Sequence, residues 1–183
     1  MRYKIGVIGS AGRGKKLSKK ILQKAREVGR AIAKNDCILI TGACMGVPHE
    51  TTIGAGEKQG VILGFSPAAT LKEHLEPPIS YPAPTKNTIL IFTGFGKEGR
   101  NVLAIRTCDA VIIIAGHSGT LNEFAIAYQL GKVIGLLTET GGITKKLLEI
   151  TTSIKKDTGA LIISGPEPKK LVRKVINILK QRK

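Results

Sequence analysis

Tryptophan is absent from this 183-residue chain, which also holds only three Tyr and four Phe. Proteins that grip single-stranded nucleic acid tightly usually stack bases on aromatic rings, at about 1–3 kcal/mol per base. So few rings, with few near the basic segments, argue against that mode and predict at most weak, strongly salt-dependent contacts through the basic ends. Cysteine is almost as scarce. Cys37, Cys44 and Cys108 are odd in number and lack metal-ligand spacing, so neither a disulfide framework nor a zinc site is expected. Reduced thiols in the cytoplasm are the expectation. No apolar run approaches the ~18 residues of a membrane span, so no membrane partner is expected. The opening "MRYKIGVIGS" turns to glycine too early for a secretory signal and reads as a first strand.

Acids are few as well: 13 Asp and Glu against 29 Lys and Arg, a formal charge of +16. The imbalance is uneven along the chain. Residues 1–34 hold eleven basic residues and one acid, and residues 145–183 hold eleven and three. Residues 35–144 hold seven and nine. Both basic ends carry apolar residues at helical spacing: Ile21, Ala25, Val28 and Ile32 in one, Leu171, Val175 and Leu179 in the other. Lysines opposite such stripes form either a solvated face or a basic face for nucleic acid or another anion.

What the sequence has in abundance is glycine, 22 residues, against a usual frequency of about 7%. A composition that is 42% hydrophobic and 23% charged excludes wholesale disorder, and the length suits one domain over residues 1–183. Apolar runs predict strands near 3–8, 37–41, 61–65, 88–93, 109–115, 132–137 and 160–164. Helical patterns fit near 17–34, 48–59, 100–107, 120–130, 143–156 and 168–181. Runs such as "VIIIA" and "VIGLL" are continuously apolar, as in a sheet covered on both faces. The alternation predicts an α/β fold: a doubly wound, mostly parallel, Rossmann-like sheet of about seven strands with helices on both faces. "HLEPPISYPAPTKN" carries four of the eight prolines and reads as a loop.

Ligands of such sheets bind at the carboxyl ends of the strands. Three expected loops there are glycine-rich: "GSAGRGKK" with Gly9 and Ser10, "TGACMG" with Gly42 and Gly46, and "AGHSGT" with Gly116, His117, Ser118, Gly119 and Thr120. Backbone N–H groups in each can face an anion, although glycine also serves ordinary tight turns. Together they favour a nucleotide or phosphosugar ligand. The first loop, Gly9-x-x-x-x-Gly14-Lys15-Lys16, lacks the hydroxyl that a P-loop places after its lysine to hold Mg²⁺, so a P-loop NTPase is not expected. Its glycine spacing also misses the dinucleotide fingerprint.

Ser118 is no nucleophile-elbow serine, because Thr120 stands where the second glycine belongs and no histidine follows His117. Thr120-Leu121-Asn122-Glu123 instead matches a capping box at a helix start. A carboxylate in a first helical turn suits the helix dipole but repels a phosphate bound there. If the glycines bind phosphate, Glu123 must face another part of the ligand, such as a sugar hydroxyl or a reacting water.

"AGHSGTLNE" resembles the P-G-G-x-G-T-x-x-E signature of the LOG family, the cytokinin-activating phosphoribohydrolases, and the resemblance covers most of residues 3–140. "ITGACMGV" and "GVILGFSP" resemble that family's second glycine loop and the strand after it. Arg100, in "GKEGRNVLAIRTCDAVIIIAG", stands where the family has a catalytic arginine. The resemblance implies Arg100 and Glu123 as the catalytic pair, with Gly116, Gly119 and Thr120 holding a 5′-phosphate. Asn101 replaces the family's lysine, Ala115 its proline and His117 its second glycine, and Asn101 and His117 join the candidate nucleotide-binding residues. "GRN" and "SGTL" also resemble the Rossmann domain of DNA-processing protein A, and molybdenum-cofactor carriers share a similar pattern. The implied activity is hydrolysis of a nucleoside 5′-monophosphate to free base and ribose 5-phosphate, without metal or redox cofactor, by a homodimer. The alternative is a non-catalytic binder of single-stranded nucleic acid or of a pterin cofactor.

Overall fold

A computed structural model describes residues 1–12, 17–154 and 156–182. Seven strands form one wholly parallel sheet: β1 (Lys4–Gly9), β2 (Ile38–Thr41), β3 (Ile62–Ser66), β4 (Thr88–Phe92), β5 (Ala110–Ile114), β6 (Val133–Leu137) and β7 (Leu161–Gly165), in the order β4-β3-β2-β1-β5-β6-β7. The chain winds outward from β1 to β4 and then returns to place β5 on β1's other side. The strand order therefore reverses between β1 and β5, which pair in register from Ile5↔Ala110 to Gly9↔Ile114. Their carboxyl ends flank the crevice where doubly wound sheets bind ligands.

Every residue of β5 and β6 is buried, whereas no residue of the edge strands β4 and β7 is fully buried. The continuously apolar runs thus mark strands covered on both faces. Helices α1 (Lys19–Lys34), α2 (Val47–Gly56) and α7 (Pro168–Gln181) seal one apolar cluster around Ile5, Ile32, Leu39, Ile112 and Val175. On the other face α4 (Gly96–Thr107), α5 (Ser118–Gln129) and α6 (Leu147–Ile154) close over Ile8, Ile105, Ile113, Phe124 and Leu136.

α1 and α2 touch backbone to backbone. A Cβ at Gly29 would lie 2.0 Å from the Thr51 carbonyl oxygen, and one at Gly54 2.0 Å from that of Arg26. That closeness lets Arg26 meet Glu50 through two nitrogens, at 2.9 and 2.8 Å, while Arg30 bonds Glu57. Two of the N-terminal cations are therefore spent within the fold.

Several boundaries differ from the expectation. α4 begins at Gly96, four residues early, because Gly96 and Gly99 gave its first turn the look of a loop. α5 begins at Ser118 rather than Thr120. A short helix, α3 (Leu71–Leu75), precedes the proline-rich loop, and residues 143–156 divide into a 3-10 turn (Gly142–Lys145) and α6. Gly14, Lys15 and Lys16 of the P-loop comparison lie outside the described residues.

Candidate functional site

Loops after β1 and β2 are stitched together beside the crevice. The Val47 N–H donates to the Ser10 carbonyl (2.9 Å), and Gly46, with φ +72°, presses so closely that a Cβ would sit 2.4 Å from the same oxygen. Gly46 therefore braces the loops from behind. Gly9 lets β1 close on β5, since a Cβ there would lie 2.2 Å from the Ile114 carbonyl oxygen.

The loop after β5 turns through two left-handed residues, Ala115 (φ +54°) and Gly116 (φ +96°). The segment after β6 holds this geometry. The Ala115 N–H donates to the Thr140 hydroxyl (2.9 Å), the Thr144 hydroxyl donates to the Ala115 carbonyl (2.7 Å), and the Ile143 N–H donates to the Gly116 carbonyl (2.9 Å). No proline fits at position 115, because its ring fixes φ near −65° and it has no N–H to donate.

α5 then starts without a side-chain cap, since its N-cap residue is His117. The expected capping box does not form. Thr120 is the third helical residue and Glu123 the sixth, so Glu123 lies in the second turn and no acid occupies the first. The early start has a chemical consequence. The Glu123 Cα stands roughly 7 Å along the axis from the first helical residue at ~1.5 Å per residue, which takes the carboxylate out of the first turn, where it would repel an anion most strongly. A Cβ on Gly119 would meet nothing within 4 Å, so space in front of the helix start is open.

Arg100 and Glu123 converge across this crevice from α4 and α5. Their side chains are 6% and 11% exposed, and Arg100 Nη1 stands 3.8 Å from Glu123 Oε1, an ion pair without a hydrogen bond. Arg100 Nε is buried with no hydrogen-bond partner. A donor left so in a buried site costs about 1–3 kcal/mol. Burial pushes the Glu123 carboxyl up to about 7, against the opposing pull of Arg100. The Asn101 amide donates to Asn122 Oδ1 at 3.1 Å and ties the two helices together. Burial also raises the Cys44 thiol, keeping it protonated and unlike an activated nucleophile.

The pair opens onto a cavity of about 280 Å³, lined also by Gly9, Ser10, Gly42, Asn101, His117, Gly119 and Thr120. Nine of the twelve residues singled out from the sequence thus meet there. Gly116 and Ser118 instead line an adjoining depression of about 370 Å³ with His117, Lys145 and Lys146, and Gly46 stays behind the loops. Tyr81 and Lys97 line the cavity and had been missed. Lys97 lies three residues before Arg100 on one helix, a relation hidden by the late boundary set for α4. Tyr81 comes from the proline-rich loop and has no motif. Its N–H donates to the His74 carbonyl (2.8 Å), and His74 is itself fixed between Ser66 Oγ (2.8 Å) and the Pro82 carbonyl (2.9 Å). A carbonyl only accepts, so Nε2 carries the proton and Nδ1 accepts from Ser66. Among the described residues, no group of three His, Cys, Asp or Glu side chains is arranged to hold a metal ion, and no helix is long and apolar enough to cross a membrane.

Gly42 offers a clean perturbation. A Cβ there would lie 2.1 Å from Arg100 Nη1 and 2.7 Å from Cζ, so Gly42→Ala must displace the guanidinium. Its backbone is not left-handed, so alanine itself is unstrained. Gly42→Ala is expected to perturb ligand binding in the cavity about as much as Arg100→Ala does, by calorimetric titration with nucleoside monophosphates as probes.

A doubly wound Rossmann-like sheet with a charged cavity at its switch point defines the class, and the comparisons give the family. The SLOG cluster4 family profile matches residues 2–172, and the chain belongs to that family. An uncharacterized protein of Archaeoglobus fulgidus is 32% identical over 133 residues, covering 73% of this chain and 78% of that one. The molybdenum cofactor carrier protein of Chlamydomonas reinhardtii superposes with a TM-score of 0.75 at 25% identity, covering 98% of this chain and 99% of that one. The molybdenum cofactor binding protein of Rippkaea orientalis gives 0.72 at 25% identity, covering 96% and 98%. The DNA processing protein A of Helicobacter pylori, described for single-stranded DNA binding, shares the fold at a TM-score of 0.69 and 17% identity, covering 97% of this chain and 82% of that one.

Proposed function

We propose that the cavity binds a nucleoside 5′-monophosphate and hydrolyses its N-glycosidic bond, giving free base and ribose 5-phosphate. The observation that carries this reading is the buried Arg100–Glu123 pair, 3.8 Å apart, with the Glu123 carboxyl raised to about 7. The 5′-phosphate takes the N–H groups at the start of α5, with Gly119 and Thr120 around it. The Arg100 guanidinium, which lines the cavity, donates to a sugar hydroxyl and fixes the ribose. As the C1′–N bond breaks, positive charge grows on the ribose, and the Glu123 carboxylate stabilises it. Water then bonds to C1′, giving one proton through Glu123 and so to the departing base nitrogen. No metal or redox cofactor enters this scheme.

Glu123 works in its ionised form here. Base release is therefore expected to rise tenfold per pH unit below about 7 and level off above it, measured as kcat/KM between pH 5 and 9. A flat profile across that range contradicts the role given to Glu123.

The protein acts as a single cytoplasmic domain in this reading, paired as a homodimer through α4. Phe95, Val102 and Leu103 at that helix are 67%, 41% and 37% exposed, an apolar strip next to the cavity. Sedimentation equilibrium tests the pairing. A second reading draws on the full-length likeness to the two molybdenum cofactor proteins: the same cavity binds a pterin cofactor without turnover. Pterin binding with no base release from any nucleotide would favour it.

A further inference from the structure

The basic ends of the chain, far apart in sequence, lie side by side in the fold. α1 and α7 pack in parallel over one face of the sheet. Lys20 and Lys24 meet Glu27, Glu139 and Glu167 around one depression at their N-terminal ends, and Asn35 and Asp36 meet Ile176 and Lys180 around another at their C-terminal ends. The outer surface of this helix pair carries Lys19, Lys20, Lys169, Arg173, Lys174 and Lys180, all exposed. Among the described residues none of the six has a carboxylate within ion-pair distance. The cations that do have partners differ: Arg26 bridges to Glu50 of α2, Arg30 to Glu57 at that helix's C-cap, Lys24 to Glu139 and Lys170 to Glu167. The acids bordering the face, Asp36, Glu139 and Glu167, are each engaged by another cation, Arg2, Lys24 and Lys170. Within the two helices Glu27 is the only acid.

We infer that this α1–α7 face is a docking surface for the sugar–phosphate backbone of duplex DNA, independent of base sequence. The inference does not rest on the reading of the cavity. Helix length sets the scale: fourteen residues of α7 span roughly 21 Å, and packed helices lie about 8–10 Å apart. A duplex presents one charge per ~1.7 Å of axis, so about a dozen phosphates run beside that length, with about five on the near side within reach. Three features select this partner. No aromatic residue stands on α1 or α7, which removes the base stacking that tight single-strand binding uses. No large apolar side chain is exposed on either helix, which removes the insertion that an amphipathic membrane anchor needs. A second copy of this face would bring like charges together, so it does not pair with itself.

The test measures fluorescence anisotropy of the full chain with a labelled 24-base-pair duplex of arbitrary sequence, from 50 to 200 mM salt. Five neutralised phosphates give a slope of log K against log salt of about −4.5, which is roughly a 500-fold loss over that range. The double variant Arg173→Gln/Lys174→Gln is expected to flatten the slope by nearly 2, at about 0.9 per contact removed, with an unchanged thermal midpoint. Any of four results overturns the inference. These are no duplex binding at 50 mM salt, an unaltered slope in the folded double variant, tighter binding to the single strand, or preference for phosphatidylserine vesicles over duplex. The variant's rate of base release is expected to equal the wild type's, because neither residue lines the cavity.

Discussion

Glu123→Gln is expected to lower base release from nucleoside 5′-monophosphates by at least ~10²–10³-fold, the usual effect of removing one group that stabilises transition-state charge. Glutamine has the shape of protonated Glu123 but cannot offset the charge that grows on the ribose or take a proton from water. Nucleotide affinity in calorimetric titration should stay within about tenfold of the wild type, since the proposed phosphate contacts are made by the start of α5 and not by this side chain. Stability separates this role from ordinary packing. The Glu123 carboxyl is raised from 4.5 to about 7 on folding, chiefly by burial. A raised carboxyl contributes fully below about pH 4.5, and that contribution is lost as pH rises through 7, by an amount on the order of 3 kcal/mol. Glu123→Gln removes the loss. Urea unfolding at pH 5 and pH 8 should therefore show a smaller decline in the variant than in the wild type. A variant that unfolds like the wild type at both pH values, with unimpaired base release, would remove Glu123 from the chemistry.

The second large effect concerns Ala115. The LOG resemblance suggests proline at this position, and the structure excludes it on two counts: φ is +54°, and the N–H donates to Thr140 Oγ1 at 2.9 Å. Ala115→Pro is expected to destabilise by about 3 kcal/mol or more, because proline enforces a negative φ and leaves the buried Thr140 hydroxyl without this donor. For a chain of this length that is a fall of roughly 6–12 °C in thermal midpoint, at about 2–4 °C per kcal/mol. Ala115→Gly should move the other way, by about 1 kcal/mol, since glycine enters the left-handed region without steric cost. An Ala115→Pro variant that melts with the wild type would mean that the loop takes a different turn from the one described.

The fold was readable because its physics is periodic. β5 and β6 are covered on both faces, and their unbroken "AVIII" and "VIGLL" runs announce it. Three glycine loops followed three strands of a parallel sheet, and parallel winding brings all three to one edge. Helix starts were less legible, because a start is a local competition between few groups. At α5 a capping box was available in Thr120 and Glu123, yet the helix begins two residues earlier and takes Glu123 into the cavity wall. Two glycines disguised the first turn of α4, and with it the relation of Lys97 to Arg100. Long-range contacts were illegible altogether. Gly42 lies under the Arg100 guanidinium and Thr140 caps the Ala115 N–H, across gaps of 58 and 25 residues that no motif spans. Tyr81 reaches the cavity through a His74 anchor that reads in sequence as one more polar residue before a proline-rich loop.

The central claim is that the Arg100–Glu123 cavity breaks N-glycosidic bonds, and chromatography of wild-type reactions tests it most directly. The protein is incubated at pH 8 with a panel of purine and pyrimidine nucleoside 5′-monophosphates, without added metal, and the products are separated and quantified. Free base and ribose 5-phosphate in equal amounts from at least one nucleotide, with none from the matching nucleoside that lacks the phosphate, is the predicted result. Nucleotides that bind in calorimetry yet release no base across the whole panel would contradict it.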